Sequence, residues 1–281
     1  LTTGIFYHPS FSRKSYLTVG NRLRDFPEIL EPILRSPTVE MYTSPRVDRD
    51  LLLAIHDPRM IEAVDRDGFC STAWESAGGV VMAAQEVWSG SLKNSFAFIG
   101  AGGHHSGFDY FGGACCFNDV AAAIVRLREM KEDIRVAILD TDAHHGDGTR
   151  DLLENDPRVL HCCICSMDHR SPDGLKIDAG FGWNVTDPNE SYLSLAREVF
   201  TPAAESFEPD LIFWYFGFDT HAGDYGSVGL TGEAFFGLSR YMMEEAEKHC
   251  DGKLAVILAG GSRSDLASAL IPPIITILAE D

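Results

Sequence analysis

No apolar run in this chain approaches the roughly 18 residues that a membrane helix needs, and Leu1-Thr-Thr-Gly4 carries no charged-then-apolar leader. The sequence therefore predicts neither a membrane span nor a signal peptide. Basic residues are few: 23 Lys and Arg stand against 42 Asp and Glu, a formal charge of −19 at pH 7. Nucleic-acid phosphates need compact basic patches, so nonspecific nucleic-acid binding is not expected. An acidic surface serves solubility first, and it also favours the approach of a cationic substrate.

A regular cysteine framework is also missing. The seven cysteines, at positions 70, 115, 116, 162, 163, 165 and 250, are odd in number and partly clustered in apolar segments, which predicts reduced thiols and a cytoplasmic protein. Within Cys162-Cys-Ile-Cys165, neighbouring side chains on a strand face opposite ways, so a soft-metal cluster is not expected. No repeat, low-complexity tract or linker interrupts residues 1–281, and a chain of that length with 45% hydrophobic residues can bury one large core. A single domain is expected.

What the chain does contain is Asp140-Thr-Asp-Ala-His-His-Gly-Asp-Gly-Thr149, with three carboxylates and two imidazoles within eight residues directly after apolar Val136-Ala-Ile-Leu139. Such a segment reads as a buried strand opening into a loop at its C-terminal edge, where α/β proteins place ligands. Residues i and i+2 point the same way on an extended chain, so Asp142 and His144 can reach one metal ion. Carboxylate and imidazole suit zinc, which in catalytic sites takes a third protein ligand and keeps one position open. Asp219 is the expected third ligand. It ends Asp210-Leu-Ile-Phe-Trp-Tyr-Phe-Gly-Phe-Asp219, an apolar run that breaks into Thr220-His-Ala-Gly-Asp224. A further strand, Asn94-Ser-Phe-Ala-Phe-Ile-Gly100, leads through Ala-Gly-Gly to His104 and His105, which read as proton-transfer groups. One His or Asp at a strand end is usually a cap or a hydrogen-bonded loop residue. Three such clusters at three strand ends point to a metal site.

Between the strands, residues 73–88, 118–128 and 192–207 repeat apolar side chains at helical spacing. Strands alternating with helices predict an α/β fold: a parallel β-sheet flanked by helices, with the active site at the C-terminal strand ends.

His104-His-Ser-Gly107, Phe117-Asn-Asp119, the Asp-x-Asp-x-His-His-Gly-Asp-Gly run and Gly217-Phe-Asp-Thr220 occur in the order found in the histone deacetylase family. The chain resembles that family over nearly its whole length, from Gly4-Ile-Phe-Tyr-His-Pro9 through residues 56–64 to Leu258-Ala-Gly-Gly261. The family also includes acetylpolyamine amidohydrolases and acetoin-utilisation proteins. The resemblance implies a single-domain arginase/deacetylase-like fold and Zn2+ held by Asp142, His144 and Asp219. It implies His105 as general base and acid, oriented by Asp147, and His104 as its electrostatic partner, paired with Asp140. These roles fit the chemistry, because an imidazole oriented by a carboxylate can accept a proton and later protonate a leaving amine. A K+ site is implied beside Asp140, with backbone carbonyls near Asp142 and His144. Its usual hydroxyl is replaced here by Cys163, a poor ligand for a hard cation. The related arginases need two further Asp residues where this chain has Gly146 and His221, which favours one zinc ion and an amide substrate.

The chain departs from the family where a tyrosine normally donates to the carbonyl oxygen opposite zinc. After Ala259-Gly-Gly261 come Ser262 and Arg263, either of which could fill that position, and Tyr225 in the Gly223-Asp-Tyr-Gly226 loop is a further candidate. The family's acyl-lysine tunnel is usually walled by two aromatic rings. Here one wall falls at Gly113 and Ala114 and the other near Ser171-Pro-Asp-Gly174, with no aromatic residue at either. Arg22 falls where some members have an internal arginine, although a surface salt bridge is its ordinary explanation. The expected function is a zinc-dependent amidohydrolase that removes a short acyl group from an amine, on a protein lysine or a polyamine, with an atypical oxyanion partner. The alternatives are a catalytically weak, zinc-containing acyl-lysine-binding protein and a zinc hydrolase of another carbonyl compound.

Overall fold

The computed structural model describes residues 1–13, 21–182 and 185–280. Its strands are β1 (Thr3–Tyr7), β2 (Val39–Thr43), β3 (Asn94–Ala97), β4 (Val136–Asp140), β5 (Val159–Cys165), β6 (His169–Arg170), β7 (Lys176–Gly180), β8 (Leu211–Phe216) and β9 (Leu254–Leu258). They form one sheet in the order β2-β1-β3-β9-β8-β4-β5-β7-β6. Every pairing is parallel except β6 with β7. Strands β4, β5, β8 and β9 are buried at every position. Helices cover a parallel sheet on both faces, so its central strands run apolar without alternation.

The register sets the site. Asp140 at the end of β4 lies level with Tyr215 of β8 and Cys163 of β5. Phe216 is level with Leu258 of β9, and Ile257 with Ala97 of β3. The chains leaving β3, β4, β8 and β9 therefore emerge along one edge of the sheet.

The flanking helices begin where local chemistry starts them. Asn118 accepts the Ala121 amide hydrogen to cap Asp119–Met130. Its own amide nitrogen donates to the Ser106 carbonyl (3.0 Å) and the Thr149 hydroxyl (3.1 Å), tying the histidine loop to the helix Asp147–Leu153. The apolar repeat expected from residue 192 belongs to a helix that starts earlier, Pro188–Phe207. Asp187 caps it and Pro188, which has no amide hydrogen to leave unpaired, opens it. Among the described residues, no helix is long and apolar enough to cross a membrane.

The expectation of reduced thiols is corrected at one pair. Cys70 and Cys116 form a disulfide with Cα atoms 5.8 Å apart, because the turn before the helix Ala73–Ser89 packs against the segment leading into Asn118. The other five cysteines are free and buried. The disulfide also removes the cysteine argument for a cytoplasmic location.

Candidate metal centre

Asp142, His144 and Asp219 meet where the loops after β4 and β8 converge, with donor atoms all within 4.8 Å of one another. His144 Nδ1 lies 3.0 Å from Asp142 Oδ1 and 3.1 Å from Asp219 Oδ2. The backbone holds both carboxylates. The Gly260 amide donates to Asp142 Oδ2 (2.7 Å), the His144 amide to Asp142 Oδ1 (3.0 Å) and the Ala143 amide to Asp219 Oδ1 (3.2 Å). Close approach requires glycine here: a Cβ on Gly260 would stand 2.3 Å from Asp142 Oδ2, and one on Gly217 would stand 2.7 Å from both Asp142 Cα and Asp219 Oδ1. Buried Asp219 Oδ2 accepts no hydrogen bond although it faces the imidazole. Burial and then Asp142 push Asp219 up, while the hydrogen bond to Asp142 and the adjacent Asp219 carboxylate raise His144 to about 10. Two buried carboxylates, one imidazole and an unsatisfied oxygen form a donor set that gathers positive charge, which fits a divalent cation with oxygen and nitrogen ligands.

The histidine pair sits beside this cluster. His104 Nδ1 donates to Asp140 Oδ2 at 2.9 Å, and its Nε2 lies 3.7 Å from Asp142 Oδ1. His105 Nδ1 donates to Asp147 Oδ1 at 2.6 Å, and the two rings are 4.1 Å apart. Their environments push them apart. Burial would lower His104, but Asp140 and Asp142 outweigh it and raise the ring to about 9. Burial and then the neighbouring His104 lower His105. One imidazole is raised and its neighbour lowered, a division suited to acid–base work.

Tyr215, hidden inside the apolar β8 run, carries the histidine loop. Its hydroxyl accepts the amides of Gly103 (2.9 Å) and His104 (3.2 Å), and its ring stacks on His104. Arg22 is not the surface residue that its neighbourhood suggests. It is buried, and its guanidinium donates to the carbonyls of Ala259 (2.5 Å) and Gly261 (3.0 Å). No local pattern marks it, since those partners come from the far end of the chain.

His104, His105, Asp142, His144, Tyr215 and Arg22 line a cavity of about 310 Å³, which Gly113, Ala114, Tyr225 and Ser262 also border. Gly113 packs so closely on the His105 ring that a Cβ would come within 2.6 Å of it. Ala114 follows at φ 66°, a left-handed conformation. Residues 171–174 are not part of the lining; Ser171 and Asp173 bond each other in the turn between β6 and β7. The three oxyanion candidates separate. Arg263 is turned to Asp265 and stands outside the lining. Ser262 gives its hydroxyl hydrogen to Asp224 (2.8 Å). Tyr225 lays its ring on His144, 5.5 Å between centroids, and its hydroxyl accepts the Gly261 amide (3.3 Å).

A mostly parallel sheet flanked by helices, with these loops gathered at its C-terminal edge, is the arginase/deacetylase fold. A crystal structure of the HDA15 HD domain matches it over 99% of this chain and 89% of its own, with a TM-score of 0.84 at 22% identity. A family model of the histone deacetylase domain matches residues 64–276. A probable deacetylase of Archaeoglobus fulgidus is 35% identical over 205 residues, which cover 69% of this chain and 57% of that protein. Histone deacetylase 9 of Homo sapiens is 31% identical over 206 residues, 66% of this chain and 20% of the human protein. The chain belongs to the histone deacetylase family. It spans little more than half of the archaeal relative and a fifth of the human one.

Proposed function

We propose that this chain is a single-domain, zinc-dependent amidohydrolase that removes a short acyl group from an amine, such as acyl-lysine or an acylpolyamine. The observation that carries the reading is the pairing of His104 with Asp140 and His105 with Asp147 beside the Asp142, His144 and Asp219 donor set. Those three residues would hold Zn2+, which when bound polarises a carbonyl and acidifies water.

The remaining work falls to the chain itself. His105 gives its Nδ1 hydrogen to Asp147, so its Nε2 is the atom left to accept a proton from water and return it to the leaving amine. His104, whose Nδ1 hydrogen is held by Asp140, stabilises negative charge on the reacting centre. Tyr225 is the oxyanion donor we favour: its hydroxyl accepts from Gly261, which leaves its own hydrogen free, and a phenol stays protonated at neutral pH. The Ser262 hydroxyl hydrogen is already committed to Asp224. A K+ ion beside Asp140, implied by the family likeness, would rest on backbone oxygen, because Cys163 offers sulfur.

The test is mass-spectrometric turnover of acetyl-lysine peptides, longer acyl-lysines, trifluoroacetyl-lysine and acetylpolyamines by zinc-loaded protein, with Asp219→Ala as control. Amine release that depends on zinc and is absent from the control is expected. Zinc binding with no turnover of any substrate would replace this reading by that of an acyl-lysine-binding protein.

A further inference from the structure

On the far side of the His144-His145 turn lies a second cluster of donors that the proposed chemistry does not use. Strand β5 carries Cys163 and Cys165 two residues apart, hence on one face of the sheet, and β7 places Asp178 directly beside Cys163 in register. The sequence argument against a cysteine cluster separates Cys162 from its neighbour but leaves Cys163 and Cys165 together. His145 reaches over them from the loop after β4. Its Nδ1 is 3.2 Å from Asp178 Oδ1 and 3.9 Å from Cys165 Sγ. Donor atoms of all four residues lie within 4.8 Å of one another, with Cys163, Cys165 and Asp178 buried and His145 partly exposed.

The geometry points to a second metal site, formed by His145, Cys163, Cys165 and Asp178, that takes a borderline-soft divalent cation of the Zn2+ kind. Two sulfurs exclude a preference for hard cations such as K+, Mg2+ or Ca2+. Four protein donors would fill a tetrahedral shell and leave no open position, as in a structural rather than a catalytic site. Ligand distances of about 2.0–2.3 Å would draw the widest-spaced donors together by up to about 1.5 Å, and the partly exposed His145 ring is the member with room to move.

Arg150 supplies the outer shell. It grips Asp178 with both terminal nitrogens, at 2.8 and 3.2 Å, and so fixes the carboxylate. Its positive charge also balances the set. Two thiolates and one carboxylate around a divalent ion leave one negative charge, which the guanidinium cancels. An ion there would fasten β5 and β7 to the loop that carries His144, so its binding energy would be spent on the shape of the first site.

The two sites can be told apart without any activity measurement, because Asp142, His144 and Asp219 contain no sulfur. Metal-free full-length chain, kept reduced and free of oxygen, is titrated with Co2+ while thiolate-to-cobalt charge transfer is followed in the near ultraviolet. The expected result is a charge-transfer band that saturates with one ion per chain in this site and disappears on adding Zn2+. The band should be lost in the Cys163→Ser/Cys165→Ser double variant, and zinc content should fall there by one ion per chain. Cys165→Ser alone, which leaves fully buried Cys163 in place, should lose about half of the band. Absence of the band from the unmodified chain, or its persistence in the double variant, would overturn the assignment.

Discussion

Asp224 holds Ser262 by two bonds, taking its amide hydrogen at 3.0 Å and its hydroxyl hydrogen at 2.8 Å. The hydroxyl hydrogen next to the Ala259-Gly-Gly261 turn is thereby committed, which is why the proposed oxyanion role falls to the phenol of Tyr225. Tyr225→Phe should lower kcat by about 10²–10³ with little change in KM, as loss of one oxyanion donor does elsewhere. Ser262→Ala should cost less than about tenfold. Steady-state kinetics of both variants on one acyl-lysine peptide decide between them, and the reverse order would move the oxyanion role to Ser262.

Asp219→Ala should remove one zinc ion per chain and abolish turnover while leaving the far-ultraviolet dichroism unchanged. Metal analysis after dialysis is the check. Full zinc content in the variant would show that Asp219 is not a ligand.

Arg22 closes a polar knot between the loops after β3 and β9, giving hydrogen bonds to the carbonyls of Ile99, Ala259 and Gly261. Arg22→Met should cost on the order of 3 kcal/mol in urea unfolding, because buried carbonyls lose a charged donor. Arg22→Lys should recover less than half of that, since one ammonium lacks the planar fork that spans separate acceptors. Equal stability of all three proteins would refute the role.

His56 gives the fold a pH dependence of its own. Its Nδ1 donates to the Gly107 carbonyl (2.8 Å) while Nε2 accepts the Asn118 amide (3.0 Å), so the folded protein needs the ring neutral. Burial depresses it from 6.5 to about 4, against a smaller opposing effect of the Gly107 carbonyl. The unfolded chain binds the proton below about pH 6.5 and the folded chain does not until about pH 4. Stability is therefore complete above that window and falls through it, by about 3 kcal/mol at 1.36 kcal/mol per unit. Denaturant midpoints between pH 7 and 4.5 should fall less steeply in His56→Gln, which keeps a donor and an acceptor. Identical slopes would place the acid sensitivity elsewhere.

The strands were legible because a sheet covered on both faces writes itself as unbroken apolar runs, as in Leu211–Phe216. Asp142 and His144 were legible for a local reason, their spacing of two. Residues whose partners are distant in sequence were not. Arg22 bonds carbonyls 237 and 239 residues away. Tyr215 looks like one more aromatic in an apolar strand, and its hydroxyl gains meaning only when the Gly103 amide arrives from β3. Cys70 and Cys116, 46 residues apart, pair only once the packing of the turns is known.

The glycines pressed against the carboxylates divide the cavity into a frozen part and a free one. Any side chain at Gly217 or Gly260 would displace the oxygens of Asp142 and Asp219, so on the proposed reading mutation there would register first as lost metal affinity. The mouth is not so confined: the half-exposed Tyr225 ring and the small Ala114 border it. Substitution at the rim can therefore change what the cavity admits while its floor stays unchanged.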